Sequence, residues 1–117
     1  MEKAFEYASA KGLIIVAAAG NEPTGKPVYP AAYPTVFGVG ALGPHGTEKW
    51  DNSNYGSFVT FYAPGFANLP IGYKGEPGIY AGTSISTAYV AYSISRFLSQ
   101  NPLATKKKIL EFFKNNN

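Results

Sequence analysis

Residues 13–21 of the chain read LIIVAAAGN, which is seven consecutive apolar residues followed by a glycine and an amide. Continuous apolarity, in place of alternation with polar residues, is typical of a strand covered on both faces, as in a parallel sheet. Gly12 and Gly20 bound the predicted strand. Asn21 follows directly at the strand's end, which is where parallel sheets bind their ligands.

Two further apolar runs, residues 36–42 and residues 58–63, predict a second and a third strand of the same type. Apolar residues at helical spacing predict three helices, over residues 1–11, 84–100 and 105–114. Apolar residues nearly encircle the helix over residues 84–100, which is typical of a buried helix. This order of elements indicates an α/β fold with a largely parallel sheet. Three strands make a small sheet, so we expect one edge to need a partner outside this chain.

Three segments carry weaker patterns. Residues 66–81 hold glycine, proline and tyrosine without a clear period, and we predict a loop with short extended pieces. The three asparagines at residues 115–117 are expected to fray. Residues 38–43 (GVGALG) match the G-x-G-x-x-G string of dinucleotide-binding proteins, but Pro44 prevents the helix that must follow. Close packing of strands explains those glycines better.

The composition excludes several classes of protein. The chain has 117 residues and no cysteine, which excludes a disulfide, a zinc–thiolate site and a cysteine nucleophile. A hydrophobic fraction of 45% and a charged fraction of 15% are typical of a folded chain. No stretch approaches the ~20 apolar residues of a membrane span. Residues 1–11 predict an amphipathic helix and lack the layout of a signal peptide. We expect no membrane partner.

The net charge of +3 owes much to four lysines near one end of the chain: Lys106, Lys107, Lys108 and Lys114. These lysines belong to one predicted helix and do not form a broad basic face. A solvated helix face is therefore favoured over a nucleic-acid interface, and we expect no nucleic-acid partner.

The motif Gly82-Thr83-Ser84 lies at the start of the predicted buried helix. A serine at a helix start is most simply an N-cap, and this motif alone supports no more than that. A functional interpretation of this motif is supported by Asn21, because both polar motifs occur in one chain with predicted strands between them.

Several short motifs along the chain resemble motifs of the subtilisin family of serine peptidases (subtilases), and they occur in the same order as in that family. They are residues 12–22, 29–30, 33–36, 39–41, 52–56, 63–65, 82–84 and 90–91. The resemblance covers nearly the whole chain. It implies a three-layer, mostly parallel α/β fold, with residues 1–117 forming the C-terminal portion of a catalytic domain.

The resemblance also implies catalytic roles for Ser84 and Asn21. Ser84 would be the nucleophile, whose hydroxyl attacks the scissile carbonyl and forms an acyl-enzyme. Asn21 would place its side-chain amide against the developing oxyanion, together with the backbone N–H of Ser84 at the helix start.

Other family positions imply a substrate-binding surface. Ala18, Ala19 and Gly20 would form one wall of the specificity pocket, and Val28 would lie at its floor. The family commonly has glycine at that floor, so valine would restrict large substrate side chains. Thr83, beside the nucleophile, is placed with the substrate-binding residues. No cofactor and no metal site are predicted, because the acidic residues lack a spaced oxygen-ligand loop.

The chain departs from the family in one decisive way: the aspartate and histidine of the catalytic triad belong to motifs upstream of residue 1. His45 lies in a proline–glycine turn and is interpreted as a surface residue. Ala88 and Tyr89 replace the proline and histidine that usually follow the family's serine. Without a general base the Ser84 hydroxyl is weakly nucleophilic, so the isolated chain should be a very poor peptidase.

Two main hypotheses remain open. The first is a serine endopeptidase, with a peptide or protein substrate and with the missing N-terminal part of the domain, or a self-associated copy, as partner. The second is a non-catalytic subtilase-like module that binds peptides or proteins. The resemblance favours a secreted or cell-envelope location, although the chain itself does not determine a compartment.

Overall fold

The computed structural model describes residues 1–72 and 74–115. The expected fraying concerns the asparagines at residues 115–117: Asn115 is the last residue of α3, and residues 116 and 117 lie outside the described residues. The elements, in chain order, are α1 (Glu2–Ala10), β1 (Ile15–Ala18), β2 (Val36–Leu42), β3 (Val59–Pro64), β4 (Phe66–Leu69), β5 (Gly78–Ala81), α2 (Thr83–Gln100) and α3 (Lys106–Asn115).

The three apolar runs form one parallel sheet, as predicted, and the strand order in the structure is β1-β2-β3. Ile15 lies opposite Val36, and Val39 lies opposite Phe61. The central strand β2 is buried along all but its last residue. The edge strand β1 is only half-buried over its whole length. The central strand is therefore covered on both faces, as is typical of a parallel sheet. The described residues cover the edge strand β1 only in part.

Two stretches of the segment that was predicted to be a loop with short extended pieces, Phe66–Leu69 and Gly78–Ala81, pair as the antiparallel strands β4 and β5. Phe66 lies opposite Ala81, and Leu69 lies opposite Gly78. The Tyr80 ring is buried and its hydroxyl donates to the carbonyl of Glu76 at 2.6 Å. The sequence does not alternate between apolar and polar residues here, which is why the pairing was missed.

The hydrophobic core lies between the sheet and the two C-terminal helices. Its buried members are Phe37, Val39, Phe61, Ala63, Val90, Ile94 and Ile109. The prediction of a buried α2 is correct for only one side of the helix. Ser86, Val90 and Ile94 are buried, whereas Ala88 and Ala91 are exposed. The apolar residues that encircle α2 would need a second covering layer, and the described residues supply one layer.

Lys106 corrects the prediction that the basic helix is a solvated face. Its Nζ donates to the carbonyl of Thr35 at 2.7 Å and to the hydroxyl of Ser9 at 3.4 Å. The ammonium also lies 5.5 Å from the centroid of the Phe37 ring. Burial lowers the pKa of Lys106 below its ordinary value. This lysine therefore anchors α3 to the rest of the fold, while Lys107, Lys108 and Lys114 are exposed.

The G-x-G-x-x-G string lies mostly along β2, and the turn at residues 44–46 follows it in place of a helix. A Cβ on Gly38 would lie 2.7 Å from the carbonyl oxygen of Phe58. A Cβ on Gly40 would lie 2.6 Å from the Tyr62 ring. These glycines allow close packing around the central strand, as expected. None of the helices in the described part of the chain is long and apolar enough to cross a membrane.

Gly65 permits a close approach between the sheet and α2, and we expect Gly65→Ala to destabilise the fold. A Cβ there would lie 2.5 Å from Ala41 Cβ and 3.1 Å from Ser86 Oγ. Overpacking of this kind lowers the free energy of unfolding by about 1–3 kcal/mol. Urea denaturation of the chain measures the change.

Gly43→Ala is the matched control for this substitution. A Cβ on Gly43 would lie 3.6 Å from the carbonyl oxygen of Glu48, which is an ordinary contact. Equal denaturation midpoints for the two variants would show that the approach at Gly65 is not tight.

Candidate active site

The fold brings together the two polar motifs of the sequence, the one that ends in Asn21 and the one that contains Ser84. The backbone N–H of Thr83 donates to Asn21 Oδ1 at 2.9 Å, and the N–H of Gly20 donates to Thr83 Oγ1 at 3.1 Å. These bonds join residues 62 and 63 positions apart in the chain. The loop after β1 is thereby tied to the first turn of α2 by two reciprocal hydrogen bonds.

The bond from Thr83 also orients the amide of Asn21. Because Oδ1 accepts a hydrogen bond from the helix start, Nδ2 remains the end of the side chain that donates to another group. That Nδ2 lies 3.7 Å from the point that a Cβ on Gly82 would occupy. Asn21 is exposed, so its amide donor faces a region that a ligand can reach.

Ser84 is the second residue of α2 and is exposed. Its backbone N–H belongs to the first turn, where no preceding carbonyl of the helix is available as an acceptor. The helix dipole adds partial positive charge at the same place. No hydrogen bond to the Ser84 hydroxyl is formed within residues 1–72 and 74–115. The helix start therefore presents a free hydroxyl and a backbone donor, with an amide donor nearby at Asn21.

The sharp corner between β1 and Asn21 requires a glycine. Gly20 has a φ of +107°, a conformation that favours glycine. A Cβ at this position would collide with Asn54 Nδ2 and would lie 2.9 Å from Glu22 Oε1. The corner turns the chain out of the sheet and directs Asn21 toward α2.

Asn54 is a buried polar residue of the site that the sequence reasoning missed. Its side chain is fully buried, and Nδ2 donates to the carbonyl of Ala19 at 2.7 Å and to Glu22 Oε1 at 3.0 Å. Its Oδ1 accepts from the N–H of Glu22 at 2.8 Å and of Thr24 at 3.3 Å. In the sequence, residues 52–56 are only one of the motifs that resemble the subtilases, and a lone buried asparagine leaves no periodic signal.

The predicted substrate-binding residues lie around this corner. Ala19 is fully buried, and Ala18 and Gly20 are half-buried on either side of it. Thr83 is also buried, and its hydroxyl oxygen is engaged by the Gly20 N–H. A direct contact of Thr83 with substrate stays a prediction, and its observed contacts hold the loop against the helix.

Val28 is half-buried in the long loop between β1 and β2, just before the cis peptide bond between Tyr29 and Pro30. Its carbonyl accepts from the N–H of Ala32 at 2.7 Å. Its role as a pocket floor stays a prediction.

The described residues place no general base at Ser84. His45 is exposed in a turn that begins after β2, where the N–H of Gly46 donates to the carbonyl of Gly43. No three histidine, cysteine, aspartate or glutamate side chains of the described part of the chain are grouped so that they could hold a metal ion. The described residues at this site therefore provide an exposed serine hydroxyl and two hydrogen-bond donors, and His45, the one histidine of the sequence, lies in the turn after β2.

Comparison with known proteins agrees with this geometry. The family model described as the subtilase family matches residues 1–117. Subtilisin Savinase of Lederbergia lenta is 33% identical over 118 residues, which cover 98% of this chain and 42% of that protein. Subtilisin NAT of Bacillus subtilis subsp. natto is 33% identical over 108 residues, which cover 89% of this chain and 28% of that protein.

Solved structures give the same result. A cold adapted subtilisin-like serine proteinase is similar with a TM-score of 0.79 and 27% identity, over 94% of this chain and 40% of that one. The prenylagaramide maturation protease PagA is similar with a TM-score of 0.75 and 30% identity, over 93% of this chain and 41% of that one. The chain spans less than half the length of the relatives that it matches.

Proposed function

The chain belongs to the subtilase family, and from this premise we propose that it supplies the nucleophile and the oxyanion donors of a serine endopeptidase whose general base comes from another segment. Family membership makes the chain part of a serine-protease catalytic domain. The observation that carries the finer proposal is the hydrogen bond from the Thr83 N–H to Asn21 Oδ1, because it fixes an amide donor beside the exposed serine.

In this proposal Ser84 Oγ attacks the scissile carbonyl of a bound peptide while the external base accepts the hydroxyl proton. The carbonyl oxygen becomes an oxyanion, and it accepts hydrogen bonds from Asn21 Nδ2 and from the Ser84 N–H. Collapse of the tetrahedral intermediate releases the amine, which takes the proton back from the base. Water then attacks the acyl carbonyl while the base accepts one of its protons. The bond from the carbonyl carbon to Ser84 Oγ breaks, the base returns the proton to Oγ, and the carboxylic acid product leaves.

The surface that would receive the proposed partner segment is mostly apolar. A cavity of about 330 Å³ opens between the start of β1 and α2. Its lining residues are Gly12, Leu13, Ile14, Val16, Ala91, Ile94, Ser95 and Leu98. Leu13 is 59% exposed, and β1 is half-buried at the edge of the sheet. These features support a partner segment that adds to the sheet and covers α2, because an apolar edge left open favours association.

The proposal is tested by labelling with a fluorophosphonate probe, which reacts with activated serines. The chain is compared with a reconstituted domain, in which an N-terminal subtilase segment that carries the aspartate and histidine motifs is added. We expect labelling of Ser84 in the reconstituted domain and at most trace labelling of the chain alone, because only the base raises the nucleophilicity of the hydroxyl.

Ser84→Ala in the reconstituted domain is the control for the site of labelling. Complex formation is measured separately by size-exclusion chromatography. A complex that forms and remains unlabelled would contradict the catalytic proposal and would favour the non-catalytic peptide-binding module.

A further inference from the structure

We propose that Asn54 is a positioning residue for oxyanion stabilisation, because it clamps the loop that carries Asn21. The inference rests on the proposed function, since it concerns the donor that Asn21 would offer to the oxyanion. Asn54 lies in the connection between β2 and β3 and has no side-chain exposure, so it acts through the loop and not on a substrate.

The clamp holds both neighbours of Asn21 in the chain. The backbone N–H of Asn54 donates to the carbonyl of Gly20 at 2.9 Å. Its side-chain Oδ1 accepts from the N–H of Glu22 at 2.8 Å. The residue between these two contacts is Asn21, whose own backbone is thereby fixed from both sides.

The asparagine side chain uses both ends of its amide. Nδ2 donates to the carbonyl of Ala19 and to the Glu22 carboxylate, and Oδ1 accepts from the N–H groups of Glu22 and Thr24. An amide offers two donors and two acceptor sites, so four bonds exhaust what Asn54 can make. A fully buried polar group is costly unless it is satisfied, so this set of contacts specifies one loop conformation.

The clamp and the helix act on opposite sides of the same corner. The Gly20 carbonyl accepts from the backbone N–H of Asn54, and the Gly20 N–H donates to Thr83 Oγ1. Asn21 Oδ1 accepts from the N–H of Thr83. The loop is thus fixed against β2–β3 by Asn54 and against α2 by Thr83, and the direction of Asn21 Nδ2 depends on both.

This placement matters for rate because an oxyanion donor is effective only within about 2.7–3.1 Å of the developing charge. A displacement of about 1 Å, caused far from the reacting atoms, costs about 10²-fold in rate. Loosening the clamp should therefore lower kcat and leave KM nearly unchanged, since the donor acts on charge that appears in the transition state.

The test is Asn54→Asp in the reconstituted domain. The substitution keeps the acceptor for Glu22 and Thr24 but replaces both donor hydrogens with a carboxylate oxygen facing Ala19 and the Glu22 carboxylate. We expect kcat for a peptide substrate to fall about 10²-fold, with KM within about twofold. Ile109→Val, which trims a fully buried core residue in α3, controls for a general loss of stability.

Two companion variants separate positioning from folding. Adding Glu22→Gln to Asn54→Asp supplies a side-chain donor to the new carboxylate, and we expect it to recover part of kcat. Glu22→Ala removes one bond to Asn54 from an exposed residue and leaves the core intact, so a loss of about threefold to tenfold is expected.

A double-mutant cycle with Asn21→Ala gives the decisive comparison. If Asn54 acts through Asn21, then Asn54→Asp costs less than about threefold in kcat once Asn21 is alanine, because coupled sites are not additive. An undiminished 10²-fold loss in that background, or an unchanged kcat in the single variant, would overturn the inference.

Amide hydrogen exchange distinguishes this inference from the proposed function, because it needs no activity. The N–H groups of Glu22 and Thr24 should lose protection in Asn54→Ala, which removes their acceptor, while those of β2 keep theirs. That result in a complex whose wild-type form is never labelled would contradict the proposed peptidase and leave the clamp standing. Unchanged protection of Glu22 and Thr24 would overturn the clamp itself.

Discussion

Replacement of Ser84 by alanine in the reconstituted domain is expected to lower kcat by about 10⁶-fold, a figure measured on a subtilisin and adopted here for its relative. In the proposed mechanism the hydroxyl is the group that becomes acylated, and the donors that remain cannot replace it. KM should change little, because Ser84 is exposed at the helix start and its hydroxyl holds no other residue in place. Peptide hydrolysis followed at saturating substrate measures the loss.

Ser99→Ala is the matched control for this prediction. Ser99 lies near the other end of α2, is exposed, and donates its hydroxyl to the carbonyl of Arg96 at 2.7 Å. The same chemical change there should leave kcat unchanged. Residual hydrolysis by Ser84→Ala within tenfold of the wild-type rate would show that another group is the nucleophile.

The parallel sheet could be predicted from the sequence because its signal is local. Each of the three strands is a short, mostly apolar run, and the structure pairs all three in parallel. The hairpin of β4 and β5 could not be predicted in the same way. Its pairing joins residues such as Phe66 and Ala81 across a segment without alternation, so only the folded chain specifies the partner.

The exposed side of α2 has a different explanation. The pattern of apolar residues predicts a helix covered on most sides, yet Ala88 and Ala91 are exposed in the structure. A helix that is apolar on most of its sides is typically buried on those sides. The mismatch between pattern and exposure is therefore further support for a second covering layer, which is the layer that the proposed partner segment would provide.

The candidate site also contains residues that the sequence predicts and one residue that it does not. Ser84 and Asn21 could be proposed from motifs, and the structure joins their two segments through Thr83 and Gly20. Asn54 could not be proposed, because its side-chain contacts reach residues 30 to 35 positions away and go partly to backbone atoms that every residue carries. Such contacts depend on the path of the loop, which a single sequence does not reveal.

Asn21→Asp is expected to lower kcat of the reconstituted domain by at least the 10²–10³-fold that is associated with loss of one oxyanion donor, again a figure from a subtilisin. The aspartate oxygen can still accept from the Thr83 N–H, so the loop keeps its tie to α2. The donor Nδ2 is replaced by an oxygen that carries negative charge, and repulsion of the oxyanion adds to the loss. Steady-state kinetics on a peptide substrate should show the change in kcat with KM nearly constant.

Asn101→Asp makes the same chemical change at an exposed asparagine at the opposite end of α2 and should leave kcat unchanged. A peptide boronate, whose tetrahedral adduct places an oxygen where the oxyanion forms, provides a second measurement. Its affinity should fall in parallel with kcat in Asn21→Asp, whereas a substrate-like peptide that cannot be cleaved should bind as before. Equal losses for the boronate and the uncleavable peptide would contradict the oxyanion role, because they would mean that Asn21 supports binding of the ground state as much as of the transition state.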